Sequence, residues 1–201
     1  GQLVRARITR KKPQYAEASP VEVLRQSSHY REPFCPHFSV CGGCRWQDID
    51  YETQLFWKRS HVADCLERIS GIEDTRTAPV IASPDQRFYR NKMEYTFSPR
   101  RWLSPLEIAA KDTVYDKSLA LGLHIRGFYD KVFNVESCFL QSEASVELVR
   151  FVRKWCAESG IAAYSTRNHQ GYWRFLVVRE GKRTGESLAN LITAGIPEYA
   201  P

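Results

Sequence analysis

Hydrophobic and polar residues alternate most clearly in RFYRNKMEYTFS, residues 87–98. Tyr89, Asn91, Met93, Tyr95 and Phe97 fall on one side, and Arg90, Lys92, Glu94 and Thr96 on the other. This two-residue period predicts a strand with one buried face. LALGLHIR (119–126) and KVFNV (131–135) flank GFYD and predict a hairpin. AAYSTR, NHQG and YWRFLVVRE predict another, and GKRTGE turns into a last strand, SLANLITA. Helical spacing appears twice. Leu55, Val62, Leu66 and Ile69 share a face in 49–70, with Asp48 or Asp50 to cap its start and Ser70-Gly71 to end it. Val146, Val149, Val152 and Trp155–Cys156 share a face in 142–159, opened by Ser142 and closed by Gly160.

Before these elements, residues 3–8 alternate, Lys11-Lys12-Pro13 interrupts, and VEVL (21–24) forms a second short strand pattern. Two short strands do not make a stable domain alone, so this region is expected to be the end of a small β-domain. The fold class expected is α+β: an antiparallel sheet with two main helices, preceded by the end of a small β-barrel. The domains expected are 1–27 as the β-domain remnant, 28–48 as linker and cysteine loop, 49–194 as the central domain, and 195–201 as a linker onward. No internal repeat or low-complexity segment interrupts this organisation.

Charge adds a partner to the picture. The chain of 201 residues carries a net +6. Residues 1–31 hold seven Lys/Arg against two Glu, and residues 86–101 hold five against one. Two basic islands on an otherwise slightly acidic body point to a polyanion, with nucleic acid the natural class. Arg10, Lys11 and Lys12 are candidates in the first island; Arg90, Asn91 and Lys92 in the second, with Arg90 and Lys92 on one face. No apolar run approaches the ~18 residues of a membrane span, and no signal peptide is expected from GQLVRARITRKK. A monomer without a membrane partner is expected.

The candidate chemistry lies in CPHFSVCGGC, residues 35–44, spaced C-x5-C-x2-C. Clustered thiols in a chain of this size suit metal ligation in a reducing cytoplasm better than a disulfide scaffold. Gly42 and Gly43 permit a tight wrap and can turn N–H groups toward sulfur. Cys65 and Cys156 fall on helix faces as buried apolar residues, which leaves Cys138, in NVESCFL, as the best fourth ligand. Four thiolates suit a [4Fe–4S] cluster or a tetrahedral zinc ion, and the spacing alone does not separate the two. A Cys3His zinc site through His37 is less attractive because His37 lies so close to Cys35.

CPHFSVCGGCRWQDIDYETQLFWKRSHV resembles the signature region of the bacterial RNA (uracil-5-)-methyltransferases that act on 23S ribosomal RNA. FYRNKMEYTFS resembles a strand of that family's central domain, REGKRTGE a late hairpin, and the N-terminal residues the end of a TRAM domain, a small RNA-binding β-barrel. The resemblance implies that Cys35, Cys41 and Cys44 hold a [4Fe–4S] cluster, with Cys138 of VESC as the fourth ligand. It further implies a parent enzyme in which a cysteine thiolate adds to C6 of an unstacked uracil so that C5 accepts a methyl group. The family's S-adenosylmethionine site and nucleophile belong to a Rossmann-like domain. This chain has no Gly-rich strand-to-helix turn of that kind, so no catalytic residue is assigned and the chain alone is expected to be inactive. The alternatives are a tRNA uracil-5 methyltransferase, a non-catalytic zinc- or cluster-stapled RNA-binding adaptor, and an electron carrier. The cysteine run weighs against the first of these, and the basic islands against the last.

Overall fold

The basic N-terminal stretch folds back on itself as a hairpin in the computed structural model, which describes residues 1–72, 76–110 and 113–195. Strand β1 (Leu3–Lys11) pairs antiparallel with β2 (Ala16–Arg25), so both strands are longer than the alternation at 3–8 and 21–24 predicts. The Lys12 N–H donates to the Tyr15 carbonyl at 2.8 Å and closes the turn around Pro13. Pro20 stands opposite Ala6 beside one of three register irregularities, where a residue without an N–H is tolerated. Helix α1 (Tyr51–Arg68) starts at Asp50, whose carboxylate accepts the Thr53 N–H at 2.8 Å. That hydrogen bond, with others from Thr53 and His29, holds the Asp50 carboxyl below its ordinary range. The Asp50 N–H donates to the His29 carbonyl at 2.9 Å, and Gln54 Nε2 donates to the carbonyls of Trp46 and Ile49. The β1–β2 hairpin, the segment through Pro33, and residues 46–82 with α1 form one compact unit. No residue of α1 is buried. The buried face expected for it is therefore not formed: Val62 and Ile69 are exposed, and so is Cys65.

The second unit comprises residues 34–45 and those from Ser83 onward. Its strands are β3 (Lys92–Ser98), β4 (Ala120–His124), β5 (Val132–Asn134), β6 (Trp173–Glu180) and β7 (Ser187–Thr193). They form one antiparallel sheet in the order β5-β4-β3-β6-β7. The alternation along β3 sorts its faces as expected: Met93, Tyr95 and Phe97 are buried, Lys92 and Glu94 exposed. Leu121, Leu176 and Val178 join them in the core. Where β4 meets β5, a Cβ on Gly122 would stand 1.9 Å from the Phe133 carbonyl oxygen, so only glycine allows this pairing. Between β3 and β4 lies a short helix, α2 (Pro105–Ala109). Ser104 and Glu107 open it with reciprocal side-chain-to-N–H hydrogen bonds at 3.2 and 2.8 Å, a capping box.

Helix α3 (Glu143–Glu158) buries Val146, Val149, Val152 and Cys156, as its spacing predicts. Trp155 is the exception: it is half exposed and leans on Trp173 with ring centroids 5.6 Å apart. The start of α3 is fastened to β6. Ser142 Oγ accepts the Ser145 N–H at 3.2 Å, and both hydroxyls donate to Glu180, which also pairs with Lys182. Burial alone would raise the Glu180 carboxyl. The hydrogen bonds from Lys182, Ser142 and Ser145 and the Lys182 charge overcome it and hold the group at about 2. The hairpin expected from AAYSTR does not form. Only Ala163 bridges Trp173, and the segment turns through Ser165–Gln170 by hydrogen bonds such as Ser165 N–H to Gln170 O at 2.8 Å. The expected linker at 195–201 lies outside the described residues from 196 onward.

Candidate metal centre and nucleic-acid interface

The loop 35–44 is sewn to the end of β4. Cys41 bridges Ile125, the Gly42 N–H donates to the His124 carbonyl at 2.9 Å, and the Arg126 N–H donates to the Val40 carbonyl at 3.0 Å. The Arg126 guanidinium also donates to the Cys44 carbonyl at 3.3 Å. Neither glycine of the loop has a positive φ; the left-handed residue is Ser39, at φ 72°. Gly42 is needed for close approach instead, since a Cβ there would meet the His124 carbonyl oxygen at 3.1 Å. Gly43 does direct its N–H at sulfur, donating to Cys41 Sγ at 3.3 Å. The segment carrying Cys138 meets the same loop. Phe34 packs edge-on against Phe139 at 5.1 Å, and the Glu136 N–H donates to His37 Nε2 at 3.4 Å. His37 is thus occupied as an acceptor, a use that competes with metal ligation.

Cys35, Cys41, Cys44 and Cys138 are all half-buried and free of disulfides, and the last three pack against the core cluster that includes Tyr95. Burial pushes the Cys41 thiol up to about 11, and the neighbouring Cys44, Cys138 and Cys35 add to the rise. Burial raises Cys35 too, with Cys44 and Cys138 contributing, against N–H groups of His37 and Phe38. Cys138 is raised by burial, against the N–H groups of Leu140 and Gln141 and the charge of Arg90. The four thiols therefore share one electrostatic neighbourhood, and three of them have N–H donors aimed at sulfur. Among the described residues, no three His, Cys, Asp or Glu side chains converge as a group that could hold a metal ion. Around a single tetrahedral zinc the sulfurs would lie about 3.8 Å apart, given Zn–S bonds of about 2.3 Å. Among the described residues, the buried Tyr95 hydroxyl, Trp173 Nε1, Gln141 Oε1, His124 Nδ1 and Arg174 Nε have no hydrogen-bond partner.

The basic candidates separate. Arg90 precedes β3, donates its N–H to the Leu140 carbonyl at 2.8 Å and sets its guanidinium 3.7 Å from Met93 Sδ. The face expected to be shared by Arg90 and Lys92 does not form, because Arg90 turns toward the Cys138 segment. Asn91 is exposed, and its carbonyl accepts the Glu180 N–H at 2.8 Å. Lys92 lies on the open side of the sheet, 3.3 Å from Glu94 and directly opposite Arg179 of β6, a residue that the sequence reading passed over. Like charges placed opposite each other across two strands repel. Arg10, Lys11 and Lys12 are exposed on the β1–β2 hairpin, with Arg10 3.8 Å from Glu17. Among the described residues no helix is long and apolar enough to cross a membrane.

No family model matches the chain. Its sequence is 38% identical over 194 residues to a protein named uncharacterized RNA methyltransferase from Chlorobaculum tepidum, covering 96% of this chain and 40% of that one. Proteins of the same name from Bacteroides thetaiotaomicron and Nitratidesulfovibrio vulgaris are 40% and 39% identical, over 96% and 98% of this chain. The chain spans 42% and 39% of their length. Among solved structures, Pyrococcus abyssi tRNA (uracil-54, C5)-methyltransferase in complex with S-adenosyl-L-homocysteine matches with a TM-score of 0.62 at 24% identity. The match covers 96% of this chain and 39% of that one. The sequence likeness relates the chain to a segment of proteins named RNA methyltransferases, and the structural likeness gives it a fold found within a uracil methyltransferase.

Proposed function

We propose that this chain is the RNA-positioning, iron–sulfur-binding part of an S-adenosylmethionine-dependent 23S rRNA uracil-5 methyltransferase. In this reading Cys35, Cys41, Cys44 and Cys138 hold a [4Fe–4S] cluster, and the 1–27 region is the end of a TRAM-like domain. S-adenosylmethionine and the nucleophile belong to a Rossmann-like domain elsewhere in the protein. The observation that carries the reading is the meeting of the loop 35–44 with the Cys138 segment, through Phe34 on Phe139 and the Glu136 N–H on His37, in a chain related to RNA methyltransferases. Four thiols are the donor set that a four-iron core takes. The N–H groups aimed at sulfur are the contacts by which a protein tunes such a core. A cluster held by these cysteines would tie loop 35–44 to the Cys138 segment. Cross-linking segments so far apart stabilises by roughly a few kcal/mol through the unfolded chain.

The chain's own residues do the rest. Lys92, which pairs with Glu94 at 3.3 Å, and Arg179 opposite it offer positive charge on the exposed side of the sheet for phosphate contact. Arg10, Lys11 and Lys12 offer a second zone. A transfer RNA substrate is the second reading, favoured by the substrate in the structural neighbour's name; the cysteine run favours ribosomal RNA, through the resemblance it carries.

Two measurements test this. Anaerobically prepared protein should be brown, with about four iron atoms per chain, and Cys138→Ser should lose them. Colourless protein with one zinc per chain would replace the cluster by zinc, and metal bound with Cys138 free would reject the ligand set. The full-length gene product, given labelled S-adenosylmethionine, should form 5-methyluridine in 23S rRNA. Methylation of tRNA alone would establish the second reading, and none in either RNA would leave a non-catalytic adaptor. The present chain should transfer no methyl group and show no heat of binding with S-adenosylmethionine.

A further inference from the structure

We propose that Arg174 binds a backbone phosphate of unpaired RNA, with the rings of Tyr164 and Phe175 beside it as stacking surfaces for the bases. The proposal rests on the RNA reading above and takes the exposed side of the sheet as the RNA surface. The site is made by a bulge in β6. Trp173 and Leu176 both belong to the core. Strict alternation cannot place two residues three positions apart on one face, and the pairing of β6 with β7 is irregular between Trp173 and Phe175. Two consecutive residues, Arg174 and Phe175, therefore face away from the core. Phe175 stands opposite Thr96, which lies between the core residues Tyr95 and Phe97 on β3. The bulge thus puts Arg174 on the same side as Lys92 and Arg179. Arg179 lies about 15 Å further along the strand, at ~3.3 Å per residue.

The guanidinium of Arg174 lies 4.6 Å from the ring centroid of Tyr164 and 5.5 Å from that of Phe175. Its Nε is buried and has no hydrogen-bond partner among the described residues, where a buried nitrogen normally has one. Ring contact holds the planar fork in place and leaves the Nε–H available to an acceptor. The carboxylates that could neutralise the charge are engaged: Glu94, on the same side of β3, lies 3.3 Å from Lys92, and Asp130 lies 2.8 Å from Arg167. The rival acceptor is His124 Nδ1, also buried without a partner; it belongs to β4, with β3 between it and β6. The Tyr164 side of the site is held firmly. The Tyr164 N–H donates to the Trp173 carbonyl at 2.8 Å, and its hydroxyl lies 3.0 Å from His169 Nδ1. Gly171 has φ 105°, and a Cβ there would stand 2.2 Å from the Ala163 carbonyl oxygen, so only glycine lets this segment close on β6. A charged fork fixed against two rings is a donor set for phosphate. Rings beside a phosphate contact suit unstacked bases rather than a duplex.

The experiment measures binding of this chain to a short fluorescein-labelled oligouridylate, by anisotropy across salt concentrations. The variants are Arg174→Gln, Arg174→Lys and, as a control for net charge, Arg183→Gln in the exposed turn between β6 and β7. Arg174→Gln should weaken binding about tenfold and flatten its log–log salt dependence by about one unit. Arg174→Lys should restore the slope but not the affinity, because an ammonium keeps the charge and loses the fork. Arg183→Gln should leave both in place. Equal effects of Arg174→Gln and Arg183→Gln would overturn the proposal. So would an unchanged slope with a loss of stability in urea, which would mark an internal pairing with His124. Duplex RNA competing as well as the unpaired strand would overturn the choice of unpaired RNA. Inorganic phosphate displacing the RNA more than chloride does at equal ionic strength would mark a site for the free anion instead. Should Arg174→Gln fail to fold, cross-linking of 4-thiouridine RNA to the parent decides: adducts on Tyr164 or Phe175 are expected, and none within residues 164–175 would overturn the proposal. Parent protein that bound no RNA would sink the RNA reading itself, a result distinct from RNA bound with Arg174 silent.

Discussion

Glu180→Gln removes one charge from the junction between α3 and β6 and keeps the side chain's size. In the folded protein the carboxyl is held at about 2, against an ordinary 4.5, by Lys182, Ser142 and Ser145 acting against burial. A folded value below the unfolded one means that the ionised group stabilises the fold at neutral pH. That contribution is present above about pH 5 and is lost as the pH falls toward 2. At about 1.36 kcal/mol per pKa unit, the gap corresponds to about 3 kcal/mol at pH 7. By pH 3 the same linkage leaves about 1.4 kcal/mol. Urea unfolding of parent and variant, followed by tryptophan fluorescence at pH 7 and pH 3, measures both differences. The variant should be less stable by about 3 kcal/mol at pH 7, with the deficit roughly halved at pH 3. An equal deficit at both pH values would show that Glu180 acts through packing, and no deficit at pH 7 would show that burial cancels the hydrogen bonds.

Gly122→Ala would force a Cβ to within 1.9 Å of the Phe133 carbonyl oxygen. It should cost about 3 kcal/mol in the same unfolding assay, and near-parental stability would mean that β5 shifts freely. Alkylation of native protein, read by mass spectrometry, should label exposed Cys65 quickly and wholly buried Cys156 only on unfolding; early labelling of Cys156 would contradict the packing of α3. Lys92→Ala with Arg179→Ala should weaken binding to an rRNA stem-loop and flatten its log–log salt dependence by about two units. An unchanged slope would leave the β1–β2 hairpin as the RNA-binding candidate, tested in turn by Lys11→Ala with Lys12→Ala.

Period-two and period-3.6 patterns were sufficient where one face of an element is buried. Met93, Tyr95 and Phe97, and Val146, Val149, Val152 and Cys156, lie inward as their spacing requires. They failed where the pattern had no packed surface behind it. Helix α1 carries Leu55, Phe56, Trp57, Val62 and Leu66 around more than one side. A stripe can be drawn through them although none is buried. Arg90 was misplaced for a local reason. Phe88 has φ 55°, and the N–H groups of Phe88 and Arg90 donate to the carbonyls of Phe139 and Leu140. The alternation therefore begins at Lys92 and cannot be extended backward. Helix α2 went unnoticed although its S-x-x-E signal, Ser104 to Glu107 with Pro105 between them, stands in the sequence. The spacing singled out the cysteines of the loop, but among the described residues no three such side chains converge as a metal-holding group. The orphan hydroxyl of Tyr95 was not legible, because an aromatic on a buried face does not reveal whether its oxygen has a partner.

The hydrogen bond from Glu136 to His37 joins residues 99 positions apart, and that interval has a meaning in time. A ribosome adds about 5–20 residues per second, so roughly 5–20 s separate the synthesis of His37 from that of Glu136. Throughout that interval Cys35, Cys41 and Cys44 are present without the strands that later flank them. The nascent chain therefore meets oxidants and stray metal ions with three thiols unprotected.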